Sequence, residues 1–227
     1  MNTKIMHEYT SKTVSAEQAV KIVKSGDEVI LGSVALPTIE LDKALSKRCD
    51  ELNGVYLRGT SIMHNVESAR SDPSHEHFIL NDLSFSVDER KLQAEGLAFI
   101  TPCMLSEIPE IIRRRPADVL FVAATPMDDK GFFNLSIPGV GTAAAIQTSK
   151  HIVLEIHDTI PYVYGPEQYV HISDVDYVVE VADSKLPVYL PNIEPSEIDK
   201  KIAMNIMPLI KEGACLQLGV GGTPNYV

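Results

Sequence analysis

The residues best suited to chemistry lie near the end of the chain, in Cys215-Leu216-Gln217-Leu218-Gly219-Val220-Gly221-Gly222-Thr223-Pro224-Asn225. The pattern predicts a strand over Ala214 to Leu218, a glycine-rich bend, and a helix start at Thr223-Pro224-Asn225. Glycine lets backbone N–H groups approach a ligand closely and adopt positive φ. A helix start adds unpaired N–H groups and partial positive charge. Gly219, Val220, Gly221, Gly222 and Thr223 could therefore hold a phosphate or a developing oxyanion on a thioester carbonyl. They could equally form a tight strand-to-helix turn whose glycines serve packing. The full GxGxxG pattern is not met, because Thr223 and Pro224 follow the glycines.

Other constellations are weaker. Gly139-Val140-Gly141-Thr142 opens an alanine-rich helix, where small residues suit close helix-to-sheet packing. His75-Glu76-His77, with His64 not far away, suggests a metal, but no third ligand has a recognisable spacing, and solvent exposure explains the histidines as well. No metal site is expected. Arg113-Arg114-Arg115 could bind phosphate, or could complement the dipole at the end of a helix. Glu107 and Glu155 are candidate carboxylates, though nothing local marks either as a nucleophile.

The elements that must position these residues alternate. Helices are expected over Ser15 to Ser25, from Pro37 to about Arg48, Val87 to Glu95, Leu105 to Arg115, Gly139 to Ser149, and Pro195 to Lys211 with a kink near Pro208. Strands are expected at Glu28 to Leu31, Val55 to Arg58, Phe78 to Leu80, Leu97 to Ile100, Val119 to Ala124, Ile152 to Ile156 and Tyr177 to Val181. Leu186 to Pro195, with three prolines, reads as an irregular connector. This order predicts an α/β fold: an open, mainly parallel sheet with helices on both faces.

An internal repeat extends the reading. Val23 to Pro37 aligns without a gap on Ile210 to Pro224, at an offset of 187. Lys24, Gly26, Leu31, Gly32 and Pro37 recur as Lys211, Gly213, Leu218, Gly219 and Pro224. A duplicated α/β unit follows, the first of two tandem similar domains. Residues 1–194 form the first, and 195–227 supply only the opening elements of the second. Because a globular domain rarely ends by starting a helix, the chain reads as a fragment, or as one subunit whose remainder is separate.

The bulk numbers set limits. The 227 residues are 44% hydrophobic and 22% charged, ordinary for a soluble globular protein. The net charge of −11 argues against nonspecific nucleic-acid binding, which needs a basic face. Cys49, Cys103 and Cys215 are isolated thiols, as expected of a reduced, cytoplasmic protein. The start lacks an apolar signal region, and the longest wholly apolar run, Val119 to Ala124, is far short of a membrane span.

The segment Gly213 to Asn225 closely resembles the acetyl-CoA hydrolase/transferase family, in particular its butyryl-CoA:acetate and 4-hydroxybutyrate CoA-transferases. Leu105 to Pro109, Pro126 to Asn134, Lys150 to Glu155 and His171 to Glu180 agree in the same order, so the resemblance covers nearly the whole chain. It implies two similar open α/β domains and exchange of CoA between a short-chain acyl-CoA and a carboxylate such as acetate. It implies a glutamyl-CoA intermediate, coenzyme A as substrate rather than permanent cofactor, and association into a homo-oligomer. The glycine bend, Gly219 to Thr223, would lie against CoA and the reacting carbonyl. Loops after the first strands would face the carboxylate, placing Ser33, Thr60 and Ser61 as substrate contacts. The family's glutamate lies downstream of the bend, beyond Val227, so the chain alone is expected to be inactive. An acyl-CoA hydrolase using the same glutamyl chemistry, or a non-catalytic subunit or fragment that binds CoA or another anion, remains an alternative. Neither a membrane nor nucleic acid is expected as a partner.

Overall fold

Val119–Ala124 is buried at every position, as a six-residue apolar run between turns requires, and forms a central strand, β5. The structure is a computed structural model that describes residues 3–32, 36–182, 194–219 and 221–227. It divides into two compact units, Met1–Pro187 and Val188–Val227.

In the first unit β1 (Glu28–Leu31), β2 (Val55–Arg58), β3 (Phe78–Asp82), β4 (Phe99–Ile100), β5, β7 (His151–Ile156) and β9 (Tyr177–Glu180) make one sheet in the order β4-β3-β2-β1-β5-β7-β9. Every pairing in it is parallel. The chain steps outward from β1 to β4, returns to β5 on the other flank of β1, and steps outward again to β9. Apart stands a two-stranded antiparallel ribbon of β6 (Phe132–Asn134) and β8 (Tyr169–His171).

Neighbouring residues along the strands supply two cores. Val29, Leu31, Val119, Phe121 and Val153 join one, with Leu41 and Leu45 of α3 (Ile39–Ser46), Ala69 of α4 (Glu67–Ser71) and Leu92 of α5 (Val87–Ala94). Ile30, Leu120, Val122, Ile152 and Leu154 join the other, with Ile108 and Ile112 of α6 (Ile108–Arg114) and Ala144 and Ala145 of α7 (Thr142–Thr148). Since successive strand residues point to opposite faces, the helices cover both sides of the sheet.

Capping chemistry explains several boundaries. Ser15 closes a capping box with Gln18 at α2 (Ala16–Ala19), which runs on as a 3-10 turn to Ile22. Ser86 does the same with Glu89 at α5. Two elements lack a strong sequence signal: α4, and α1 (Thr3–Lys12) with its mostly polar surface. Beyond α1, Val14 N–H donates to the Val178 carbonyl at 2.9 Å, and the Tyr9 hydroxyl donates to the Glu180 carboxylate, so the N-terminal segment lies along β9.

The second unit holds α8 (Glu197–Ile206), a 3-10 turn over Met207–Leu209, and α9 (Gly222–Tyr226). The kink expected near Pro208 is this turn. The expected strand over Ala214 to Leu218 is not formed: among the described residues these positions pair with no neighbour. A strand needs a ladder partner, and the described residues of this unit supply none. Of the repeated glycine pairs one agrees in backbone conformation and one does not, since Gly32 is left-handed and Gly219 is not. Gly26 and Gly213 both take left-handed φ, +81° and +74°, at the turn before the repeated segment. The connector expected over Leu186 to Pro195 lies largely outside the described residues.

Candidate active site

The strand order reverses at β1 and β5, and in open parallel sheets ligands bind outside the carboxyl ends of the strands at such a point. Gly32 closes β1 at φ +52°, and an added Cβ would meet the Leu36 carbonyl oxygen at 2.8 Å. The chain then reaches Thr38, buried at the start of α3. Pro37 therefore precedes the helix rather than opening it, and Thr38 is the capping position.

On the α3 side lies an open cavity of about 940 Å³, between that helix and the carboxyl ends of β7 and β9. Its buried floor includes Glu155 and His157. Glu155 Oε2 accepts the Leu41 N–H at 2.8 Å, and Oε1 lies 2.9 Å from His157 Nε2, which donates to it. Leu41 N–H belongs to the first turn of α3, where donors lack intrahelical partners and negative charge is favoured. Glu155 thus fixes α3 and the imidazole together. With both oxygens engaged, it is a positioning carboxylate rather than a free nucleophile. Glu107 is exposed, and its Oε2 accepts Met104 N–H at the helix start.

The other sequence candidates separate. Thr60 is buried beside Gly32 around a void of about 10 Å³, which holds one water at most. Ser61 takes φ +56°, its N–H and hydroxyl both directed at Ser84 (2.8 and 2.9 Å). Neither lines the large cavity, and Ser33 lies outside the described residues. Gly141, at φ +94°, packs on Ile108 and Ile112, where a Cβ would come within 3.0 and 2.6 Å. That is the packing role. Arg114 pairs with Glu110, and Arg115 pairs with Glu28 and covers Tyr56, so neither marks a phosphate site.

In the second unit, Gly219, Gly221, Gly222 and Thr223 form the bend; Val220 lies outside the described residues. Gly221 takes φ +151°, a conformation that side chains resist. A Cβ on Gly222 would lie 2.7 Å from Asp199 Oδ2, and the Thr223 hydroxyl donates to Asp199 Oδ1 at 2.5 Å. Asp199 also caps α8 through Ser196, and these hydrogen bonds, Ser196 foremost, hold its carboxyl below the ordinary range. A groove of about 240 Å³ adjoins the bend, lined by Ile206, Leu216, Leu218 and Pro224 among others.

Sequence reasoning missed two buried acid groupings. Asp82, at the end of β3, accepts Gly59 and Leu83 N–H groups on Oδ1, while Glu89 accepts Ser86 N–H on Oε2. The remaining oxygens, Asp82 Oδ2 and Glu89 Oε1, are buried without another partner. Burial, then the hydrogen bond to and charge of Asp82, push the Glu89 carboxyl far up, so the pair shares a proton. Asp42 on α3 caps α4 through Glu67 N–H and Ser68, and burial raises its pKa to about 6. Beside it, His64 is buried with neither ring nitrogen hydrogen-bonded, its Nε2 3.8 Å from Asp42 Oδ2, and burial lowers its pKa to about 4. Scattered polar residues between apolar runs gave no signal of either grouping.

The doubly wound sheet, with a wide crevice outside its carboxyl edge, defines an α/β domain of the kind used by CoA-transferases. The family description "Acetyl-CoA hydrolase/transferase N-terminal domain" matches residues 1–190, and the chain belongs to that family. It is 36% identical over 97% of its length to a butyryl-CoA:acetate CoA-transferase of Anaerostipes caccae, covering 50% of that protein. It is 29% identical over 96% of its length to a 4-hydroxybutyrate coenzyme A transferase of Clostridium kluyveri, covering 51% of it. The crystal structure of RipA from Yersinia pestis superposes with a TM-score of 0.87 at 23% identity, over 97% of this chain and 53% of that one. The chain spans about half the length of the curated relatives it matches. No described helix is long and apolar enough to cross a membrane.

Proposed function

We propose that the chain is the N-terminal portion of an acyl-CoA:carboxylate CoA-transferase, moving CoA between a short-chain acyl-CoA and acetate or a similar carboxylate. The observation that carries this is alignment along essentially the whole chain with relatives named as CoA-transferases, such as those of Anaerostipes caccae and Syntrophomonas wolfei. Those names favour a carboxylate over water as acceptor. In this reading residues 195–227 open a second α/β domain. The nucleophile is a glutamate contributed by sequence beyond Val227, since the buried carboxylate at the crevice, Glu155, has both oxygens bound.

The chemistry is covalent. Carboxylate attack on the thioester expels CoA as thiolate and leaves a mixed anhydride. The thiolate then forms a glutamyl-CoA thioester and releases the first acid, and the acceptor carboxylate repeats the exchange in reverse. The amides of Gly219 to Thr223 are assigned to the thioester carbonyl, whose oxygen gains charge in each attack. Of the three hydroxyls that the resemblance places near the acyl group, Ser33 keeps that assignment, whereas Thr60 and Ser61 do not line the crevice and are not assigned to it. The enzyme works in the cytoplasm as a homo-oligomer.

Mass spectrometry of the native protein after incubation with butyryl-CoA tests the reading. CoA attached to a glutamate, discharged by acetate, is the expected result. CoA release that is unchanged by acetate would point to a hydrolase, and absence of both would leave only a CoA-binding role.

A further inference from the structure

The amino edge of the sheet, opposite the crevice, carries a second cluster. Cys49 follows α3, Asp72 follows α4, and His77 precedes β3. Each offers one ligand atom, and these atoms lie within 4.8 Å of one another. The sequence suggested a metal through His75 and His77, but His75 is engaged elsewhere: its Nε2 lies 2.9 Å from the Gly96 carbonyl and its ring edges onto Phe99. The partners of His77 come instead from 28 and 5 residues upstream, which no local motif shows.

We propose that Cys49, Asp72 and His77 form a binding site for a divalent zinc-type cation, with water completing the coordination. The donors are one sulfur, one oxygen and one imidazole nitrogen, a set suited to tetrahedral zinc. Their charges match the ion: one thiolate and one carboxylate neutralise the dication, with imidazole neutral. The Cys49 thiol gives up its proton to solvent as its Sγ–metal bond forms, so binding strengthens with rising pH.

The surrounding hydrogen bonds already hold the ligands. His77 Nδ1 lies 2.6 Å from the Leu52 carbonyl, so the proton resides there and Nε2 keeps the lone pair a metal requires. Asp72 Oδ2 accepts the His77 and Phe78 N–H groups at 2.6 and 2.9 Å. Oδ1 accepts Ser74 N–H and the Ser74 hydroxyl. Only that hydroxyl must rotate away for Oδ1 to face a cation. The Cys49 thiol is held by nothing stronger than a 3.6 Å contact with the Ser71 carbonyl. Asp72 is buried while Cys49 and His77 are half-buried, so the cluster is accessible from solvent on the side of those two residues.

Titration of the metal-free chain with Co²⁺ and Zn²⁺ at neutral pH tests this. One equivalent of Co²⁺ should bind with a thiolate-to-cobalt charge-transfer absorption, and Zn²⁺ should displace it and raise the melting temperature. Cys49→Ser should abolish the charge-transfer band, and His77→Gln should weaken binding at least about tenfold. Cys215→Ser should change neither. Cobalt binding without a sulfur band, or a band lost in Cys215→Ser and kept in Cys49→Ser, overturns the proposal. Asp72→Ala is unsuitable because it also removes the acceptor for four hydrogen bonds.

Discussion

Replacing Glu89 with glutamine should stabilise the protein at alkaline pH, contrary to the usual effect of altering a buried, hydrogen-bonded residue. Glu89 is fully buried, accepts Ser86 N–H through one oxygen, and faces Asp82 with the other. Two carboxyl groups meeting without a donor must share a proton, which raises the folded pKa above that of the unfolded chain. The folded state then binds more protons than the unfolded one above the ordinary carboxyl range. This contribution to stability is therefore complete in acid and is lost as pH rises toward the folded pKa. Its slope is at most about 1.4 kcal/mol per pH unit. The substituted amide can keep the Ser86 bond through its carbonyl and donate an N–H to Asp82 Oδ2, replacing the shared proton with a fixed one. The variant should match the wild type near pH 5 and exceed it by up to about 4 kcal/mol near pH 8. Urea unfolding followed by circular dichroism across that range measures the difference. A wild-type-minus-variant difference that does not change with pH would refute the shared proton.

Other perturbations test other parts of the structure. Glu155→Ala removes the acceptor for both Leu41 N–H and His157 Nε2–H, and should cost about 3 kcal/mol in urea unfolding; a cost below about 1 kcal/mol would show that Glu155 does not hold α3. Gly32→Ala should lower stability by about 2 kcal/mol or more, through positive φ and the Leu36 carbonyl. Gly26→Ala, with open space around the same hand of φ, should cost less, and equal melting temperatures would contradict the crowding at Gly32. His64 has a lowered folded pKa, so its contribution is present above pH 6.5 and lost as pH falls toward 4. Replacing it with Leu should flatten that part of the stability profile relative to wild type, while a variant as acid-sensitive as wild type there would exclude the histidine as the cause. The purified chain alone should show no butyryl-CoA:acetate exchange, and turnover in a standard coupled assay would refute the assignment of the nucleophile to sequence beyond Val227.

The sheet was legible because its signals are local. Six buried residues in Val119–Ala124 leave a strand few alternatives, and Ser15-x-x-Gln18 marked its helix start by chemistry that needs no tertiary partner. The same reasoning placed a strand at Ala214 to Leu218, where residue pattern alone cannot supply a neighbour for its hydrogen bonds. It missed α4, whose start is capped by Asp42 from another helix rather than by its own N-terminal residues. At the crevice, Glu155 was one of two candidate carboxylates that nothing local marked, and its role depends on Leu41, 114 residues earlier. Cys49, Asp72 and His77 are brought together by two helix-to-strand connections, a proximity that spacing along the chain does not encode.

The N-terminal segment along β9 protects more than the strand it touches. At the opposite margin the sheet ends in β4, only two residues long and too short to template another strand. β9 has four residues, and on its outer side the Val178 carbonyl accepts Val14 N–H while the Tyr9 hydroxyl holds the Glu180 side chain. Removing α1 and residues 13–14 would therefore free the Val178 carbonyl and uncover that margin, and the truncated protein should show more strand-to-strand association than the whole chain.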